Sequence, residues 1–242
     1  MIALSIALVA VIGMVIAVPT LLPRSLRDAV GLGPERVAEV PQVADAGSYA
    51  FLAHQPDDRS QPVGYDPCSR IKLRINPASG PADGVSMVRR AMREVEQATG
   101  LRFDYQGTTD ARPKWENASV PVIFGRPRTV PVLVSWATED EVGELAGNVA
   151  GVGGSLPLED GDRTRFVTGG VTLDADVFAE GDGTARGRRE LFAIVLHELG
   201  HLVGLAHVHD PHELMNEDNL GLLDFGPGDR AGLARVGSTP CA

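Results

Sequence analysis

The chain has 242 residues, 43% of them hydrophobic and 22% charged, with a formal net charge of −10. This is ordinary globular composition at a length that suits one mid-sized domain with extensions. The acidic balance, without basic clustering, favours solubility and argues against nucleic acid as a partner.

Residues 2–22 form an apolar run broken by nothing more polar than Ser5, Thr20 and glycine, long enough for one membrane crossing. The alternatives are a cleaved export signal, with Val15-Ile16-Ala17 as the small-residue cleavage candidate, and a buried core helix. Arg24 and Arg27 follow the run, and by the positive-inside rule they would keep the rest of the chain in the cytoplasm. Residues 23–47 mix proline, glycine, alanine and charge without periodicity, and are expected to be a linker or short pro-segment. The folded domain is expected over 48–242, starting near residues 49–53.

Ile71, Leu73 and Ile75 alternate as in a half-buried strand. Val88, Ala91, Met92 and Val95 form one apolar helix face that Gly100 would close. Leu101, Phe103 and Tyr105 alternate again, residues 130–136 read as a buried strand and 165–173 as another, preceded by the glycine-rich Gly151-Val152-Gly153-Gly154-Ser155. A helix over about 188–203 is apolar nearly all round and is expected to be buried on most sides. A short last helix is expected over 227–236. No internal repeat or low-complexity tract interrupts this order.

The stretch His197-Glu198-Leu199-Gly200-His201-Leu202-Val203-Gly204-Leu205-Ala206-His207 carries the chemistry. Four residues apart on a helix, His197 and His201 project from one face roughly 6 Å from each other and can grip one metal ion. An uninterrupted helix would swing residue 207 roughly 240° away and about 9 Å further along the axis, so the helix must stop. Gly204 reaches the left-handed backbone that ends helices, and the turn can return His207 to the ion. Three nitrogen ligands leave a fourth tetrahedral position open, the mark of a catalytic zinc site. Glu198, rotated off the ligand direction, is the expected general base for a water that the ion polarises, and then the acid for a leaving amine. The short HExxH pattern arises by chance in roughly one such chain in a hundred, but the five-position pattern only at the order of 3 × 10⁻⁵, which sets it above a core helix that happens to carry histidines.

These residues resemble the metzincin zinc endopeptidases, and Met215, eight residues after His207 in Glu213-Leu214-Met215-Asn216, is similar to the Met-turn of the matrixin branch. The resemblance implies an α+β fold: a twisted mixed sheet with the active-site helix beneath it, and a small C-terminal subdomain with the Met-turn and final helix. It implies one catalytic Zn²⁺ held by His197, His201 and His207, with Met215 as an apolar floor. It also implies an antiparallel edge strand that pairs with substrate backbone, for which residues 151–158, with Gly151, Val152, Gly153 and Gly154, are the candidate. Protein or peptide substrates follow. The rivals are a zinc amidase or aminopeptidase acting on cell-wall peptides, and a zinc-containing binding module without turnover.

The chain departs from animal matrixins. It has no PRCGxPD cysteine switch and no structural-zinc loop, and Val208 stands where those enzymes carry serine or threonine. It is most similar to bacterial matrixin-like peptidases of high-GC genomes. Export, with the catalytic domain secreted or anchored outside the cytoplasm, is expected on this resemblance and on the two cysteines. In an exported domain, Cys68 and Cys241 are expected to pair and tie the C-terminus to the domain's start. The rival role for Cys68, an inhibitory zinc ligand, lacks its motif in Asp66-Pro67-Cys68-Ser69-Arg70.

His54, His209 and His212 are expected to be solvated histidines, and Asp224-Phe225-Gly226 to be turn chemistry. Asn117-Ala118-Ser119 fits a glycosylation acceptor of no consequence in a bacterial protein. The acidic loops Glu159-Asp160-Gly161-Asp162 and Glu180-Gly181-Asp182-Gly183 could hold Ca²⁺, but neither matches an EF-hand.

Overall fold

A computed structural model describes residues 33–115, 119–123, 126–127, 129–161, 163–181, 183–218 and 220–241. The apolar run 2–22, residues Asn117 and Ala118, and the loop residues Asp162 and Asp182 lie outside these. Among the described residues no helix is long and apolar enough to cross a membrane. The chain divides into two units, Met1–Glu35 and Arg36–Ala242. Of the first, only 33–35 are described, without regular structure.

The second unit begins with β1 (Ala50–Phe51), β2 (Arg70–Asn76), helix α1 (Gly84–Thr99) and β3 (Arg102–Thr108). A small antiparallel pair, β4 (Val122–Ile123) and β5 (Arg126–Pro127), precedes β6 (Val132–Ala137). The hairpin of β7 (Gly151–Asp160) and β8 (Arg163–Asp174) leads through the short α2 (Ala175–Glu180) into α3 (Ala185–Val203), then β9 (Leu205–Ala206) and α4 (Pro227–Gly237). The main sheet has the order β3-β2-β6-β8-β7. Its first four strands are parallel neighbours, and β7 runs antiparallel to β8 at the edge. This is the expected α+β architecture, a twisted mixed sheet over an active-site helix.

The alternation read in β2 puts Ile71, Leu73 and Ile75 into one core with Val88, Ala91, Met92 and Val95 of α1, Val134 of β6 and Leu199 of α3. Gly100 closes α1 with φ 75°, its N–H donating to the Glu96 carbonyl at 2.9 Å. A Cβ there would lie 2.4 Å from the Glu39 carbonyl oxygen, so both backbone angle and space demand glycine. On the other sheet face Trp115 donates from its indole to Thr172 Oγ1 at 2.9 Å, beside the smaller apolar group of Ala137, Val142 and Leu145.

α3 starts three residues before the apolar pattern does. Apart from the buried Gly187 its first turn is exposed, and Thr184 caps it by accepting from Gly187 N–H at 3.0 Å. α2, which no periodicity announced, stands on the Asp174 side chain accepting from Asp176 and Val177 N–H. Residues 36–47, expected as linker or pro-segment, follow the domain surface. Arg36 donates to the carbonyls of Gly237 and Thr239 at the end of α4, and Val37 N–H to Pro67 O at 3.0 Å. Cys68 and Cys241 form a disulfide across 173 residues, with Cα atoms 5.4 Å apart.

Candidate metal centre and active site

α3 delivers His197 and His201 from one face. It ends at Gly204, where φ is 125° and the N–H caps the carbonyls of Gly200 and His201. A Cβ at Gly204 would also crowd Val63 O at 3.1 Å. The chain then reverses through β9, which pairs with β1, and brings His207 back. The ring nitrogen His207 Nε2 lies 3.0 Å from both His197 Nε2 and His201 Nε2.

The second nitrogen of two rings settles their tautomers. His197 Nδ1 meets Leu214 O at 2.8 Å and His201 Nδ1 meets Leu205 O at 2.8 Å. A carbonyl only accepts, so both Nδ1 atoms carry the proton and both Nε2 atoms present lone pairs. Burial disfavours the imidazolium and lowers His197 to about 4 and His201 to about 3, and the more exposed His207 is lowered too. Nitrogens held about 2.0–2.1 Å from a tetrahedral ion are about 3.3 Å apart. Neutral lone pairs at this spacing repel one another without a cation between them, so the donor set fits one zinc ion.

Glu198 is buried, and its Oε2 has no hydrogen-bond partner among the described residues. Burial pushes its carboxyl up to about 8, and a dication at the trio would pull it back down. The carboxyl lines one cavity of about 240 Å³ with His197, His207 and the edge-strand residue Gly151. β7 lies directly against the site. A Cβ on Gly151 would stand 2.8 Å from Glu198 Cγ, and one on Gly153 would stand 2.3 Å from Glu198 O. Ser155 ties the same strand to α3 by donating to Leu202 O at 2.7 Å, and shares a 2.6 Å hydrogen bond with the Tyr65 hydroxyl.

Met215 is 1% exposed and packs beneath Gly200, where a Cβ would meet its Sδ at 2.7 Å. The glycine between the first two histidines thus leaves room for the methionine's thioether. Two carboxylates that sequence reading passed over hold the turn. Asp229, in the first turn of α4, accepts from the N–H groups of Leu214, Met215 and Gly226. Glu213 accepts from Gly228 and Asp229 N–H, each at 2.9 Å. Burial raises the Asp229 carboxyl despite these bonds. The bond to Asp229 fixes Leu214, whose carbonyl orients His197. The available hint was an acidic residue in the first turn of a helix, where the dipole favours it.

The remaining candidates lie apart. His209 pairs with Glu217 at 2.9 Å and His212 with Asp210 at 3.1 Å, all on the surface, and His54 stacks edge-on to Phe51. Phe225 is buried and Gly226 N-caps α4. Among the described residues the acidic loops bring no three metal-ligating side chains together; besides the histidine trio only Asp66, Cys68 and Cys241 cluster so, and there the cysteines are bonded to each other.

Residues 71–219 match the matrixin family profile. No curated protein matches the chain. Among solved structures, archaemetzincin from Methanopyrus kandleri is similar at 16% identity over 69% of this chain and 95% of that one, with a TM-score of 0.43. The GM1-bound form of the ECX AB5 holotoxin is similar at 13% identity over 70% and 83%, with a TM-score of 0.38. Likeness at this level carries no argument about activity. With the profile spanning more than half of its length, the chain belongs to the matrixins, a family of zinc metallopeptidases.

Proposed function

We propose that the protein is an endopeptidase that cuts extended polypeptides, with His197, His201 and His207 holding zinc and Glu198 as general base and acid. The single observation that carries this reading is a buried carboxylate oxygen, without a hydrogen-bond partner among the described residues, in a cavity lined by two of the three imidazoles whose nitrogens converge. When bound, zinc acidifies water to a pKa of roughly 7 and polarises a carbonyl oxygen. Glu198 Oε2 takes the proton of the attacking water and passes it to the leaving amine nitrogen, so no covalent acyl intermediate is needed. The Nδ1 bonds to Leu214 and Leu205 keep two ligand rings aimed without further reorganisation.

β7 ends the sheet, so the side of its backbone turned away from β8 faces outward and can align a substrate by strand addition. An open edge beside the site suits chains entering from both sides, which favours internal bonds over terminal ones. The Cys68–Cys241 bridge supports an oxidising location, with residues 2–22 serving export or anchoring. The test is digestion of peptides blocked at both ends by the full chain and by Glu198→Ala. Internal cutting that falls at least about a hundredfold in the variant, with zinc still bound, is expected. Equal rates in both would remove Glu198 from the mechanism, and hydrolysis confined to unblocked termini would overturn the endopeptidase reading.

A further inference from the structure

The cavity beside the trio has a chemistry of its own. Glu190, Ile194 and His197 are spaced four and three apart and share one face of α3, so the cavity runs back along the helix from the metal centre. Glu190 lies seven residues, about 10 Å of helix axis, from His197. Between them the walls are apolar, from Ala193 and Ile194 on α3 to Leu214 and Leu222 across the cavity. Glu190 stands at the far end, and Asp218 and Glu217, the latter also paired with His209, add two more carboxylates from the segment after Met215; among the described residues no lysine or arginine lines it.

We infer that this cavity selects substrates by a lysine or arginine side chain next to the cut bond, with Glu190 as the specificity-determining residue. The inference rests on the endopeptidase reading above. Lysine and arginine lay their methylene stems along apolar surface and carry the charge at the tip. Such a chain runs along Ile194 and Ala193 and reaches the carboxylate, whereas leucine fills the apolar part and stops short of Glu190. Arg186 holds Glu190 Oε1 through Nε at 2.8 Å, but this is an exposed pair between residues four apart on a helix, of a kind that contributes little and yields readily. It also engages only one of the two carboxylate oxygens. The chain's net charge of −10 favours the approach of cationic substrates.

The test uses the full zinc-loaded chain and blocked peptides that differ only in the residues flanking the cut bond, carrying arginine, lysine, leucine or glutamate on either side. On one side of the bond, arginine and lysine are expected to exceed leucine in kcat/KM by about fivefold, as one partly exposed ion pair allows. Glu190→Gln should bring that ratio to about one, and Glu190→Lys should place glutamate above arginine. A leucine preference in the wild type, or a ratio unmoved in Glu190→Gln, overturns the pocket assignment and leaves the peptidase reading standing. A chain that holds zinc and cuts none of the peptides overturns both.

Discussion

Gly153→Ala tests the claim that β7 is seated directly on Glu198. The added methyl carbon would lie 2.3 Å from Glu198 O, 3.0 Å from its carbonyl carbon and 3.1 Å from its Cα, against ordinary contact of 3.4 Å or more. All three are backbone atoms of a buried helix, so no side chain can swing aside, and strand and helix must part by about 1 Å. Overpacking of this kind costs about 1–3 kcal/mol, and an error of about 1 Å at a reacting centre lowers the rate by about a hundredfold. Gly154 provides the control one residue on. Its Cβ would point to the other sheet face, with nothing nearer than Trp115 at 3.7 Å, and its φ is not positive. Gly154→Ala should therefore be neutral or slightly stabilising, since alanine has less freedom to lose on folding. Thermal unfolding and kcat/KM on a blocked peptide, with zinc content measured in parallel, separate the two. A Gly153→Ala protein with wild-type melting and turnover, or a Gly154→Ala protein equally damaged, would refute the seating of β7 on Glu198.

Four further outcomes follow. Asp229→Ala strands the buried N–H groups of Leu214 and Met215 and the partly buried one of Gly226, and should cost about 3 kcal/mol or more in urea unfolding; a loss under about 1 kcal/mol would show that the turn stands without it. Cys241→Ser opens a loop of 173 residues and should cost about 2–5 kcal/mol, against no change if the bridge does not form in solution. In the metal-free chain, Glu198 near 8 gives stability that is present below its unfolded value and lost as pH rises through about 8. His197 and His201, near 4 and 3, give stability that is present above the unfolded value and lost as pH falls through those values. Urea midpoints should thus fall from pH 6.5 to 8 in the wild type but not in Glu198→Gln, and an equal alkaline decline in both would reject the assignment. His207→Ala should lose zinc and activity together, as measured by metal content after dialysis; full zinc retention would remove His207 from the ligand set.

Local chemistry made much of the molecule legible. The period-two residues of β2 and the apolar face of α1 with its closing glycine stand where their patterns put them, because each pattern needs only one buried side. The histidine spacing and the break at Gly204 were equally local, since helix geometry alone decides which residues share a face. Less could be read where a residue's role depends on what approaches it from elsewhere. The polar first turn of α3 carries no apolar pattern, and its start is set by Thr184. Residues 36–47 look like a linker by composition, yet Arg36 finds the carbonyls at the end of α4.

By itself, the order of amino acids determined the convergence of His197, His201 and His207, the carboxylate of Glu198 beside them, the placement of Met215 and most of the strands and helices, since each is written in spacings of a few residues governed by one local geometry. Tertiary structure alone decided that Gly151 and Gly153 lie against Glu198, that Gly200 makes room for Met215, that Glu213 accepts from Asp229 N–H across 16 residues while the Asp229 carboxylate accepts from Leu214 N–H, and that Glu190 lines the cavity beside the trio. A glycine is indispensable, and a buried carboxylate satisfied, only through the atoms that distant segments bring within about 3 Å, and chain folding is what selects those atoms.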